Sequence, residues 1–185
     1  MRSPGETRPA VFFDRDGTLI RDVGYVCEPD QVELLAGAVE AIRKLRAKGF
    51  AAVVVTNQSG IARGIFDEGD FQATQARVEE LLARRGVYLD GVYMCPHHPG
   101  FTGPCECRKP GTALFERAAS ELALDLARSF FVGDQMRDVI AAEKLGGTPI
   151  LVATGHDAAE RPPHVPFLPD VKAAAEYILE RIGGE

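Results

Sequence analysis

Asp14 and Asp16 stand two positions apart in VFFDRDGTLI, directly after an apolar run and directly before Gly17 and Thr18. A free carboxylate at such a place can attack phosphorus and form an acyl phosphate. Its neighbour can protonate the departing oxygen and later deprotonate water. Gly17 allows the sharp turn that points both groups the same way. Asp134, in FVGDQMRD, offers a third carboxylate. Three such groups can share Mg²⁺, a hard ion that takes a few oxygen ligands and leaves the rest to water and phosphate. Thr56 and the backbone N–H groups after it, in TNQSG, can hold phosphoryl oxygens. Lys109 can balance the charge that spreads over them. Each stretch taken alone also has a plainer reading: an Asp-Gly turn, a helix cap, a polar turn.

A second constellation lies in CPHHPGFTGPCECRKPG. Cys95-x-His97 and Cys105-x-Cys107 make a Cys₃His set suited to tetrahedral Zn²⁺. The set is closed, so it reads as structural rather than catalytic. The loop over 95–109 is rich in proline and glycine, with little apolar content to pack, and a metal cross-link can order it where a core cannot. Arg108 and Lys109 follow the last ligand, so fixing the loop aims both cations. The plainer reading is free cysteines beside an incidental His-His pair. His98 reads as a surface or supporting residue, Cys27 as a plain thiol, and His156 and His164 as surface residues.

The elements that must position these groups follow from apolar patterning. Strands are expected at AVFF, at Phe50–Thr56, at GVYMC, at SFFVGD and at TPILVAT, with a short one at Val165–Leu168. Phe50–Thr56 is a continuous valine-rich run, as a central parallel strand covered on both faces should be. Helices are expected at about Ala36–Lys48, Glu68–Arg85, Thr112–Leu122, Arg137–Leu145 and Val171–Ile182, several of them ended by glycine. Strands alternating with helices imply an α/β, Rossmann-like three-layer fold with right-handed crossovers. Ligands bind such sheets beyond the carboxyl ends of the strands, and every candidate group above follows a strand.

The bulk numbers narrow the class. The chain has 185 residues, 45% hydrophobic, with net charge −6. One globular domain over 10–185 is expected after a flexible tail at 1–9. The acidic balance argues against nucleic-acid or membrane-surface partners. No apolar run approaches the ~20 residues that cross a bilayer, so a cytoplasmic location and thiols rather than disulfides are expected. Without heptads or an evident apolar patch, a monomer is expected.

FFDRDGTLI, VVVTNQSGIARG, CRKPG and FVGDQMRD resemble, in order, the four motifs of the haloacid dehalogenase superfamily. GYV at 24–26, TNQSGIARG, CPHHP and CECRKPG are similar to its histidinol-phosphatase and heptose-bisphosphate-phosphatase branch. The resemblance spans about Val11 to Thr154. It implies a small zinc loop in place of a large cap domain. It implies Asp14 as nucleophile and Mg²⁺ ligand, Asp16 as general acid/base with its main-chain carbonyl on the metal, and Asp134 as the third protein ligand. Thr56 and Lys109 would hold the transferring phosphoryl group. Asp22, Val23, Gly24, Tyr25, Thr56, Asn57, Gln58, Ser59 and Arg108 would contact a small phosphorylated sugar. Asp138 would support the metal loop or Lys109. The resemblance also agrees with His97, not His98, as the zinc ligand. Two positions depart from the branch: Gln135 replaces a frequent lysine or arginine, and Cys27 a histidine. The expected substrate is D-glycero-D-manno-heptose 1,7-bisphosphate, cleaved at C7. Histidinol phosphate is the alternative, a zinc-loop binding module the non-enzymatic one, and a DNA-end phosphatase is disfavoured by the acidic charge.

Overall fold

The computed structural model describes residues 7–155 and 161–184. Six strands form one parallel sheet in the order β3-β2-β1-β4-β5-β6: β1 (Arg8–Phe13), β2 (Ala51–Asn57), β3 (Gly91–Cys95), β4 (Leu124–Gly133), β5 (Thr148–Val152) and β6 (Phe167–Leu168). The helices are α1 (Ala38–Ala47), α2 (Ser59–Ala62), α3 (Glu68–Ala83), α4 (Pro99–Thr102), α5 (Ala113–Leu122), α6 (Met136–Val139), α7 (Ala141–Leu145) and α8 (Val171–Gly183).

Side chains alternate across a strand, so β1 divides its residues between two cores. Val11 and Phe13 face Ile42, Leu45, Val54, Val132 and Ile178, with α1, α3 and α8 covering that side. Ala10 and Phe12 face Val53, Val55, Leu114 and Ala141 on the other side, beneath α5 and α7. There Phe12, Phe115 and Phe131 pack with ring centroids 5.0–5.3 Å apart, Phe12 stacked on Phe131 and edge-on to Phe115. The α/β three-layer expectation holds. The core of α1 is the stripe Ala38, Ala41, Ile42 and Leu45, and Gly49, at φ +88°, lies just beyond the helix. The start of α3 is fixed by a reciprocal cap in which Asp67 and Asp70 each accept the other's backbone N–H at 2.9 Å.

Several expected boundaries shift. β1 already includes Arg8 and Pro9, so those two positions are strand rather than tail; residues 1–6 lie outside the described set, as does His156. β4 begins at Leu124, five residues before SFFVGD, because Arg8 and Pro9 pair with Leu124 and Asp125 before an irregularity restores register at Val11 and Phe130. The helix expected over Arg137–Leu145 is two short ones meeting at Ile140, where a tight Glu143 N–H to Ile140 carbonyl bond interrupts the longer-step ladder. The thiol loop holds a helical turn, α4, that its composition did not suggest.

From β1 the chain steps outward through β2 to β3, then returns to β4 on the opposite side of β1. The crevice outside the carboxyl ends of β1 and β4 is thus the topological switch point, where open α/β sheets bind ligands. Asp14 follows β1 and Asp134 follows β4.

Candidate active site and thiol cluster

The turn after β1 is built by its own backbone. Leu19 and Ile20 N–H groups both donate to the Arg15 carbonyl at 3.0 Å, and Gly17 N–H donates to Ile20 carbonyl at 2.8 Å. Gly17 sits at φ +84°, and a Cβ there would lie 2.7 Å from Asp134 Oδ2. Gly155 closes on the same carboxylate from the β5 loop, where a Cβ would be 1.9 Å away. Thr154 ties that loop down by donating its hydroxyl to Gly17 carbonyl at 2.6 Å. Two glycines thus make the cradle in which Asp134, 1% exposed, meets the turn after β1.

Asp14, Asp134 and Asp138 are all buried, and each offers an oxygen within 4.8 Å of the others. Lys109 comes from the segment that follows Cys107. Its Nζ donates to Asp14 Oδ1 at 2.6 Å and to the Val55 carbonyl at 2.6 Å, and pairs with Asp138 Oδ1 at 2.9 Å. Burial pushes the Asp14 carboxyl up to about 8; Lys109 opposes the rise, while Asp138 and Asp16 add to it. Burial pulls Lys109 down, but Asp138 and Asp14 more than offset it, so its ammonium is held above the usual range. Lys109 pairs with two of these three buried carboxylates, Asp14 and Asp138. Three hard oxygen donors gathered this closely fit a divalent cation such as Mg²⁺, which would favour the ionised form of Asp14.

Asp16 lies at the mouth. It accepts from Gln58 Nε2 at 2.8 Å, and the same amide nitrogen reaches Thr56 Oγ1 at 2.8 Å. Asn57 pairs reciprocally with the backbone of Lys109, accepting its N–H at 3.0 Å and donating to its carbonyl at 3.2 Å. This seats the CRKPG segment on the end of β2. A cleft of about 480 Å³ opens here, and Asp14, Asp16, Asp22, Gly24, Tyr25, Thr56, Asn57, Gln58, Ser59 and Arg108 all line it, as does Asp138. Lys109 and Asp134 lie buried beneath it. Val23 is not among the lining residues; its side chain is 48% exposed, and Val26 lines the cleft instead.

Residues not singled out from the sequence also face the cleft. Arg63 and Arg137 bring positive charge, and His98, expected at the surface, lines it beside Arg63 at 3.1 Å. A histidine following a metal-type histidine gave no signal of this, because its partner Arg63 is 35 positions away. Arg137 lies two positions beyond Gln135, and both line the cleft. Asp138 supports Lys109, one of its two expected roles. His164 is at the surface, against Glu143.

At the end of β3, Cys95, His97, Cys105 and Cys107 come together as expected, each with a donor atom within 4.8 Å of the others. Cys107 Sγ lies 3.0 Å from Cys95 Sγ and 3.5 Å from Cys105 Sγ, Cys95 and Cys105 are 3.8 Å apart, and His97 Nδ1 is 3.2 Å from Cys107 Sγ. Zn–S bonds of about 2.3 Å in a tetrahedron need S···S edges of roughly 3.8 Å, so a modest expansion fits the ion. Burial and the neighbouring Cys107 thiol drive the Cys95 thiol far above its usual range. A cation among four such donors reverses that preference. Cys27 stands apart from the group, with its backbone N–H on Gln31. Arg108 donates to the His97 carbonyl at 3.1 Å, which links the cluster to the cleft. Among the described residues no helix is long and apolar enough to cross a membrane.

Two family models match the chain: Haloacid dehalogenase-like hydrolase over residues 11–76, and HAD-hydrolase-like over residues 106–180. The D-glycero-beta-D-manno-heptose-1,7-bisphosphate 7-phosphatase of Escherichia coli O6:H1 is 44% identical over 180 residues, covering 94% of this chain and 90% of that protein. The Photorhabdus laumondii protein of the same name is 48% identical over 153 residues, covering 80% and 81%. Among solved structures, the D,D-heptose 1,7-bisphosphate phosphatase of B. bronchiseptica, complexed with magnesium and phosphate, aligns with a TM-score of 0.84 at 35% identity, covering 94% of this chain and 99% of that one. With this identity over nearly its whole length, and with its carboxylates gathered at the switch point of the sheet, the chain belongs to the heptose-bisphosphate 7-phosphatase family of the haloacid dehalogenase superfamily.

Proposed function

We propose that this chain hydrolyses D-glycero-D-manno-heptose 1,7-bisphosphate at C7, on the β anomer for which its relatives are named, through a phosphoryl group carried by Asp14. The observation that carries this reading is the buried Asp14–Lys109–Asp138 array with Asp134 beside it, opening to a cleft edged by Asp16.

Asp14, Asp134 and the main-chain carbonyl of Asp16 would hold Mg²⁺, which when bound supplies the positive charge that keeps Asp14 ionised and offsets that of the phosphate. An oxygen of Asp14 attacks phosphorus, and the bond from phosphorus to the C7 oxygen breaks as Asp16 gives that oxygen its proton. Lys109, held between two carboxylates and a carbonyl, keeps its ammonium beside the equatorial oxygens while the Thr56 hydroxyl and the Asn57 N–H bind them; the Gln58 N–H is already taken by the Cys95 carbonyl at 2.8 Å. Water then attacks the same phosphorus, Asp16 takes its proton, and the bond to Asp14 breaks to release phosphate. Asp22, Gly24, Tyr25 and Arg108 line the side where the rest of the sugar lies. Zn²⁺ in the Cys₃His cluster fixes the loop that carries Arg108 and Lys109.

The test is phosphate release from both heptose bisphosphate anomers and from histidinol phosphate, with magnesium present. Turnover of the heptose β anomer well above the other two, lost in Asp14→Asn, is expected. Preference for histidinol phosphate would overturn the substrate, and undiminished turnover in Asp14→Asn would overturn the mechanism.

A further inference from the structure

Arg15 sits between the two aspartates, yet its side chain is 1% exposed and is the largest fully buried one among the described residues. Its guanidinium is used on every edge. Nε donates to Asp16 Oδ2 at 3.0 Å and Nη2 to Asp16 Oδ1 at 3.1 Å. Nη1 donates to Thr74 Oγ1 at 3.2 Å, and Cζ lies 4.9 Å from the centre of the Phe71 ring. Thr74 is itself fixed, its hydroxyl donating to the Phe71 carbonyl at 2.9 Å. A two-bond fork sets the plane of a carboxylate as well as its position, which a lysine in the same place does not do. The Asp16 side chain is 21% exposed at the cleft mouth, and without the fork only the single Gln58 bond to Oδ2 would hold it, which leaves its plane unset.

We propose that Arg15 is a positioning residue for proton transfer: anchored on α3 by Thr74 and Phe71, it fixes the carboxyl plane of Asp16 toward the departing ester oxygen. This rests on the phosphatase reading above, in which Asp16 gives a proton to the oxygen whose bond to phosphorus breaks. The chemistry offers a way to separate positioning from general support. An alkyl ester such as a sugar phosphate needs that proton, because an alkoxide is a poor leaving group. A p-nitrophenyl ester does not, because p-nitrophenolate departs unprotonated. Both esters need the nucleophile and the groups that hold the phosphoryl oxygens alike, and each variant is compared with wild type on the same ester. The ratio kcat/KM covers only the steps up to departure of the leaving group, so the later attack of water, common to both, does not enter it.

The experiment compares kcat/KM for heptose bisphosphate and for p-nitrophenyl phosphate, with magnesium, in wild type, Arg15→Met, Arg15→Lys and Thr74→Val. Proton-transfer help is worth about 10²–10⁴-fold when removed outright. For Arg15→Met a loss of about 10–100-fold on the sugar ester is expected, with less than about threefold on the aryl ester. Arg15→Lys should not restore the sugar activity, because the charge returns without the fork. Thr74→Val keeps the side-chain volume and leaves Arg15 in place, removing the anchor together with the hydroxyl's bond to the Phe71 carbonyl, so it should show the same selectivity on a smaller scale; it decides between positioning and general support if the Arg15 variants do not fold. Equal losses on the two esters, or no loss on either, would overturn the proposal. A wild type inactive on both would instead reject the phosphatase reading itself.

Discussion

Replacing Lys109 by methionine removes one charge and little volume from a buried cluster of charges. The Nζ it deletes is buried, bonded to Asp14 and the Val55 carbonyl at 2.6 Å and paired with Asp138 at 2.9 Å. Two buried carboxylates are then left without their shared cation. Breaking a buried pair from one side typically costs about 3–5 kcal/mol. In a domain of this size each kcal/mol moves Tm by about 2–4 °C, so a fall of roughly 6–20 °C is expected in magnesium-free buffer. The sign with pH is fixed by Asp14, which folding raises from 3.8 to about 8. Between those values the folded chain binds the proton and the unfolded chain does not, so this group makes the metal-free protein less stable as pH rises toward 8. Without Lys109 the carboxyl holds its proton still higher, and the variant should lose more, relative to wild type, at alkaline than at acid pH. Adding Asp138→Asn removes one orphaned charge and should recover about 1–2 kcal/mol, within the usual coupling between touching groups. Urea titrations of wild type and the single and double variants measure all three. A single variant within about 0.5 kcal/mol of wild type at alkaline pH, the range of an ordinary surface change, would refute the reasoning. So would a double variant no more stable than the single.

Four further outcomes are expected. Asp16→Asn should lower turnover of the sugar phosphate by about 10²–10⁴-fold, the usual worth of general acid–base help; a near-normal rate rejects its role. Magnesium should raise Tm more at alkaline than at mildly acid pH, because below about 8 it must displace the Asp14 proton; equal increments would show that Asp14 is not a ligand. Elemental analysis should find about one zinc per chain, lost in Cys107→Ser, whose sulfur lies nearest the other thiols; protein free of zinc as purified rejects the cluster. Gly155→Ala should weaken the magnesium effect on Tm with little change in zinc content, because the added methyl occupies the place of Asp134 Oδ2; unaltered magnesium binding would show that this close approach is not needed.

Much of this was legible because the reacting groups follow strands whose composition is unambiguous. Val53, Val54 and Val55 can hardly be anything but an inner strand, and Thr56 and Asn57 then fall at its end. The four metal-type ligands near β3 announce themselves by paired spacing. What stayed hidden depends on contacts between distant segments. The first half of β4 carries Asp125 and Arg128 and is partly exposed, so it resembles a loop until Arg8 and Pro9 pair with it. Arg15 looks like a solvated charge between two others; only Thr74 and Phe71, brought over by α3, bury it. Arg63 and His98 meet across 35 positions, with the Arg63 guanidinium also over the Phe101 ring of α4.

The crossing from β3 back to β4 has a consequence for how activity is acquired. Asp14 and its lysine partner are 95 positions apart, and the bond from the Ala10 N–H to the Ser129 hydroxyl spans 119. No contiguous fragment short of that span can assemble the reacting groups, and loops so long are slow to close. During refolding, catalysis should therefore emerge together with the last long-range closure rather than with early helix formation, so regained turnover times the completion of the sheet.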